Sequence, residues 1–266
     1  MEYILRIRKS KAMPKSSKLP TLAILIPSVR NMKVLTSVFV TLCFLSLCFL
    51  PTFSLTLGNI FFGSIKPLYN VKFAQVLFRH AAYPILPIRP PMYAHYQLSR
   101  VYFIQGKLND ALEEARKELE AYPKNIQTYY ILGLVNGYMN RTYEAIDAFT
   151  YYIDAYPETW AGRNDKAWLQ FRLGDIDGAL ETMQPIITRY PETPWVQNTY
   201  CALLINKPER HEEAKNVCAL AKNLIDKMTP EDWGRAYPGN DPNIYPEELK
   251  AMRSSATENL NIINEH

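Results

Sequence analysis

Small and large apolar positions recur along the middle of this chain with a period of 34 residues. Tyr122-Pro123, Tyr156-Pro157 and Tyr190-Pro191 stand 34 apart, and so do Ala111, Ala145 and Ala179. Ser99, Gly133, Ala167 and Cys201 form a column of small residues. Leu112, Ile146 and Leu180 form a large apolar column, as do Leu119, Ile153 and Ile187. A fixed repeat of this length marks stacked supersecondary units, each too small to bury its own apolar face. Small residues belong where two helices cross closely, and the large columns fill the space beside them. Gly106, Asn140 and Gly174 stand in register at the turn inside each unit, where a left-handed residue is expected. The prolines end one unit and start the next. The spacing predicts helical hairpins at 92–121, 126–155, 160–189 and 194–227. It places Gly133 and Ala145 together at the crossing inside the second. Pro185 falls within a predicted helix and is expected to kink it.

Two further patterns flank the repeat. Val34–Leu50 is almost wholly apolar, and no charged residue occurs from Val34 to Ile65. Such a run is long enough to cross a bilayer. At the other end Leu249, Met252, Ala256, Leu260 and Ile263 are spaced 3, 4, 4 and 3 apart. That is one helical stripe on a polar segment, as a capping helix over 246–264 would show. Between the apolar run and the repeat, Phe73, Val76, Leu77 and Ala81 predict one short amphipathic helix. This helix would either lie on a bilayer surface or cap the first hairpin. Pro84, Pro87, Pro90 and Pro91 then predict an extended strut. The domain reading is a basic segment at 1–33, an anchor or signal-type segment at 34–62, a linker at 63–91, repeats at 92–227, and a loop with a capping helix at 228–266.

Charge changes this picture in one respect. The formal net charge of +4 is an average over unlike parts. Residues 1–91 hold twelve Lys/Arg and one acid, Glu2, which leaves 18 basic and 25 acidic residues for 92–266. The positive charge flanks the apolar run and the repeat body is acidic, which argues against nucleic acid as the partner. Eight of the twelve basic residues precede the run, so the N-terminus is expected in the cytoplasm and the body outside the membrane. A cleaved signal peptide starting at Met32 is a second reading, although Ala-x-Ala is missing after the run. Both membrane readings export the body; a third makes the run a buried core helix of a soluble protein.

The columns resemble the tetratricopeptide repeat family over roughly half the chain. The small residue late in the first helix is met at Ser99, Gly133, Ala167 and Cys201. The alanine early in the second helix is met at Ala111, Ala145, Ala179 and, after a one-residue insertion around Pro208, Ala214. The pattern departs at Lys166 and Tyr200, which replace the family's leucine, and at the early tryptophan, which is His95, Tyr129, Arg163 and Gln197. The resemblance implies an all-α right-handed solenoid of about four hairpins with a C-terminal capping helix. It also implies an extended peptide held in the concave groove made by the first helices. In that register stand Tyr93, Tyr96 and Arg100; Tyr130 and Tyr138; Asn164, Trp168, Phe171 and Arg172; and Asn198. Tyr, Trp and Arg are common interface anchors, and Asn164 and Asn198 would pair with a peptide backbone. The competing reading packs these rings inside the stack. A clamp for an acidic C-terminal tail, known in some relatives, requires Lys and Asn where this chain has Tyr96 and Arg100.

Catalytic motifs are missing: there is no P-loop, no Gly-x-Ser-x-Gly and no His-Glu-x-x-His. His80, His95, His211 and His266 are scattered, so no cofactor or metal is expected. Asp232, Asn240 and Asp241 read as turn chemistry in an ordered loop. Cys201 and Cys218 sit in inward-facing columns and are expected as buried free thiols. A disulfide is the alternative, since they stand on the two helices of one hairpin and export permits oxidation. The sequence therefore points to a membrane-anchored scaffold or adaptor with an unidentified protein partner. The alternative is a non-catalytic targeting lobe for a separately encoded membrane enzyme or secretion machine.

Overall fold

The structure, a computed structural model, describes residues 29–63, 68–236 and 244–265. The basic segment up to residue 28 and the loop positions Tyr237, Asn240 and Asp241 lie outside the described residues. All the regular elements among them are helical. The chain divides into two compact units, Met1–Phe44 and Leu45–His266.

Helix α1 (Val29–Gly63) carries the apolar run. Its stretch Lys33–Gly63 is long and apolar enough to cross a membrane by length and composition. From Lys33 to Leu50 no side chain is buried. Thr41 turns its hydroxyl back to the Ser37 carbonyl at 2.9 Å, so its donor is satisfied within the helix. The last turns behave differently. Pro51, Ser54, Gly58 and Phe62 are buried at helical spacing, and they face α2 (Val71–Ala82). Phe62 meets Phe78 edge to face at 5.7 Å, and a Cβ on Gly58 would lie 2.6 Å from the Phe78 ring. The apolar run therefore does two jobs. Its end is the inner face of a hairpin with α2, and α2 in turn covers Leu98 and Val101 of the first repeat.

Four helix pairs follow: α3 (Ala94–Ile104) with α4 (Leu108–Ala121), α5 (Gln127–Tyr138) with α6 (Thr142–Ala155), α7 (Trp160–Arg172) with α8 (Ile176–Ile187), and α9 (Pro194–Leu204) with α10 (His211–Asp226). A 3₁₀ turn at Pro208–Arg210 takes up the insertion before α10. Gly106, Asn140 and Gly174 adopt φ of +70°, +58° and +81° at the turns inside the first three pairs. Helix α8 runs on past Pro185 to Ile187. The short α11 (Pro230–Ala236) and the long α12 (Tyr245–Glu265) close the chain. Leu249, Ala256 and Ile263 are the buried residues of α12. The proline strut is not free of the stack, because the Tyr122 hydroxyl donates to the Pro90 carbonyl at 2.5 Å and Arg89 lies 4.0 Å above the Tyr122 ring.

Two expectations about the crossings are corrected. Gly133 does not meet Ala145. A Cβ on Gly133 would lie 2.6 Å from the Phe149 ring, whereas Ala145 sits 3.9 Å from the corresponding position on Gly137. The helices are antiparallel, so the start of α6 meets the end of α5, and Phe149, one turn further on, meets Gly133, one turn earlier. The second correction follows from the same geometry. Cys201 and Cys218 are not free thiols but a disulfide joining α9 to α10. Cys201 occupies the column of Gly133 and Cys218 that of Phe149, so the bond forms at the same crossing.

Candidate functional site: an aromatic groove on α3, α5 and α7

The first helices of the pairs present the aromatic register, and the environment of its members differs along the stack. At α3, Tyr93 stands at the N-terminus with φ +76° and packs edge to face on Tyr96 at 5.8 Å. The backbone there is pinned from α4. The buried carboxylate of Glu118 accepts the amide N–H of Tyr93 at 2.7 Å, that of Tyr96 at 3.2 Å and the Asn125 side chain at 2.7 Å. This carboxylate caps a helix N-terminus from the neighbouring helix, which the positive end of the helix dipole favours. Tyr96 is half-buried, and burial pushes its hydroxyl above the usual range. The Arg100 guanidinium lies 4.9 Å from the Phe62 ring and 5.7 Å from the Tyr96 ring, and donates to Gln97 at 2.9 Å. These contacts place it among the chain's own side chains.

Between α5 and α7 the face opens. Tyr138 is 69% exposed and Trp168 44% exposed. Together with Asn140, Asp165, Leu169 and Arg172 they border a cavity of about 380 Å³. Its lining also includes Gly133, Gly137 and the Phe149 ring, which fills the space beside Gly133. Tyr138 meets Phe103 edge to face at 5.1 Å, and Trp168 lies 5.3 Å from Phe171. Phe171 is half-buried against the core of the third and fourth pairs. Arg172 reaches across the cavity mouth and donates to the Asn140 side-chain oxygen at 3.4 Å.

Asp165 is the residue in this cavity that sequence reasoning missed. Its carboxylate accepts the Tyr130 hydroxyl at 2.8 Å. Burial pushes its pKa up to about 6, against the opposing hydrogen bonds of Tyr130 and Asn164. Tyr130 is half-buried and also packs on Phe149 at 5.6 Å and Tyr152 at 5.0 Å. Asn164 is buried beneath the groove, with its Oδ1 lacking a hydrogen-bond partner. It supports Asp165 from below instead of facing outward. In sequence Asp165 lies between Asn164 and Lys166 and reads as an ordinary solvated charge. The available signal was an acid in a column otherwise held by Gln97, Ile131 and Thr199.

At the fourth pair the register is covered. Asn198 accepts a hydrogen bond from Asn259 of α12 at 3.5 Å. Trp195 stacks on Trp160 at 5.7 Å and packs with Trp233, Leu249 and Ile225. The structure thus brings Tyr138, Trp168 and Arg172 together at one cavity and sets Tyr130 at its edge through Asp165. Tyr93, Tyr96 and Arg100 form a separate group at α3, and Asn198 is engaged by the C-terminal helix.

Comparison with known proteins agrees with this architecture. Residues 132–194 match the tetratricopeptide repeat family. No curated protein matches the chain in sequence. Among solved structures, MamA of MSR-1 is similar with a TM-score of 0.54 at 16% identity, over 69% of this chain and 98% of that one. A second MamA structure gives 0.54 at 20% identity, over 67% and 93%. TTC0263, a thermophilic TPR protein in Thermus thermophilus, gives 0.53 at 18% identity, over 78% and 99%. At these identities the likeness is one of fold. The chain carries an all-α helical repeat of the tetratricopeptide type, with a long apolar helix ahead of it.

Proposed function

We propose that this protein is a non-catalytic scaffold that holds an extended peptide of a partner protein along the groove of α3, α5 and α7. The observation that carries the reading is the pair Tyr138 and Trp168, large rings left 69% and 44% exposed beside an open cavity. Exposed aromatic rings rimmed by amide and guanidinium groups are the usual composition of an interface core. Helix α1 anchors the protein by a single span, with the N-terminus in the cytoplasm and the repeat body outside. Two features support that placement. Basic residues precede the apolar run, and the Cys201–Cys218 disulfide suits an oxidising compartment. Interaction at a peptide groove is the general capacity of the tetratricopeptide repeat, and the named relatives contribute only their fold.

The test is capture from solubilised membranes with the full-length protein and with Trp168→Ala. The substitution should weaken capture by about 2 kcal/mol and leave the melting temperature unchanged, because the ring is half in solvent. A lowered melting temperature with undiminished capture would assign Trp168 to internal packing and remove the groove. The identity of the captured protein separates a free-standing scaffold from the targeting lobe of a membrane enzyme.

A further inference from the structure

The cavity between α5 and α7 contains a carboxylate, Asp165, that forms no ion pair among the described residues. Asp165 is steadied by the Tyr130 hydroxyl and the Asn164 side chain, and by no Lys or Arg among the described residues. A half-buried carboxylate in that position is held at a cost unless a positive charge arrives. Arg172, which also lines the cavity, donates to the Asn140 amide oxygen. The local field is negative beyond Asp165 itself. The carboxylate of Glu248 also acts on the Tyr138 hydroxyl at the cavity wall and adds to the field of Asp165. Trp168 and Tyr138 line the same cavity, and aromatic rings attract cations through the ring quadrupole. An acidic floor under aromatic walls is the complement of an ammonium or guanidinium group on an apolar stem.

We propose that this cavity receives a lysine or arginine side chain of the bound peptide, with the cationic head paired to Asp165 and its stem against Trp168 and Tyr138. This rests on the peptide-groove reading and specifies the partner: an extended segment with a basic residue at one fixed position. Asp165 sets that position and Tyr130 is its positioning residue, holding the carboxylate through a hydrogen bond at 2.8 Å. Arg172 competes with the incoming cation for the same field.

The experiment uses the full-length protein in detergent micelles and a phage-displayed library of random linear peptides. The wild type should enrich peptides with Lys or Arg at one position. In a synthetic peptide of the enriched sequence, replacing that residue by norleucine should weaken binding roughly ten-fold or more. Asp165→Asn, which keeps an acceptor for Tyr130, should lose the preference and bind the Lys and norleucine peptides alike. Arg172→Gln should tighten the Lys peptide. Enrichment without a basic residue, or a preference that survives Asp165→Asn, overturns the cation pocket and leaves the groove standing. No enrichment above that on Trp168→Ala protein overturns the groove as well. The norleucine comparison is made on wild-type protein, so it decides the matter even if a variant misfolds.

Discussion

The first and fourth helix pairs share a register but are secured by opposite chemistry. In the first, buried carboxylates hold the helices: Glu118 caps α3, and Glu114 accepts from the Tyr83 hydroxyl at 2.5 Å and pairs with His95 at 2.7 Å. In the fourth, a disulfide crosses from α9 to α10, and α12 lies over the outer helix. At both ends the inward register is spent on neighbours, α1 and α2 on one side and α12 on the other. Among the described residues the middle pairs have no such cover, and there Tyr138 and Trp168 meet solvent. Register alone thus identifies a face, and the ends of the stack determine which part of it stays available.

The largest test of this contrast is Glu118→Ala. It leaves three donors without their acceptor and should cost about 3 kcal/mol or more by thermal or denaturant unfolding. A loss under about 1 kcal/mol would mean that water reaches the α3 N-terminus and that the first pair is not held as described. Next is Cys218→Ser, or reduction of the wild type. Closing a loop of this size contributes about 3 kcal/mol. Protection of α9 and α10 against hydrogen exchange should fall while that of α3 and α4 is kept. Equal loss at both ends would erase the distinction between them. Gly133→Leu should overpack the Phe149 ring and cost about 2 kcal/mol, whereas Gly137→Ala, whose added carbon meets Leu169 at 3.7 Å, should be neutral or slightly stabilising. Equal effects of the two would mean that the Phe149 ring does not fill the space beside Gly133.

The smallest effect concerns pH, and the two carboxylates should act with opposite sign. Burial raises Glu114, but hydrogen bonds from His95 and Tyr83 outweigh it and hold the carboxyl below its usual range. Its contribution is therefore complete above the ordinary carboxylate pKa and is lost as pH falls through the lowered value. Asp165 is raised from 3.8 to about 6, so the folded chain keeps the extra proton between those values. Its contribution falls as pH rises through that window and is level above it. Hydrogen exchange followed from about pH 4 to about pH 7 should show α7 loosening with rising pH, and Asp165→Asn should abolish that trend. A flat profile in the wild type would place Asp165 in contact with bulk water.

Much of this arrangement was legible because helical repeats write their packing as columns. The columns fixed which residues face inward, and the turns at Gly106, Asn140 and Gly174 were readable from backbone chemistry. Columns do not state which inward residue meets which. Antiparallel pairing sends Gly133 to Phe149 and joins Cys201 to Cys218, so columns that placed both cysteines inward could not decide between two thiols and a bond. The apolar run concealed a second limit. Hydropathy cannot separate an outward apolar face from one packed on α2, and only the spacing of Ser54, Gly58 and Phe62 marks the change. At the fourth pair, the cover over Asn198 and Trp195 depends on where α12 lies, and α12 is joined to the repeats by a turn-rich stretch with no period. Asp165 was hidden because a charged residue acquires meaning only from the water removed around it.

The apolar interior is divided among successive neighbours: one cluster spans α1 to α3, another α3 to α5, another α5 to α7, and another α7 to α10 with Ile263 of α12. Such a chain has no single nucleus whose loss dissolves the rest. Heating should release it in sections, with each helix pair opening on its own free-energy scale. A single transition temperature would then be a weighted average over sections, and a calorimetric enthalpy larger than the van't Hoff value would reveal them.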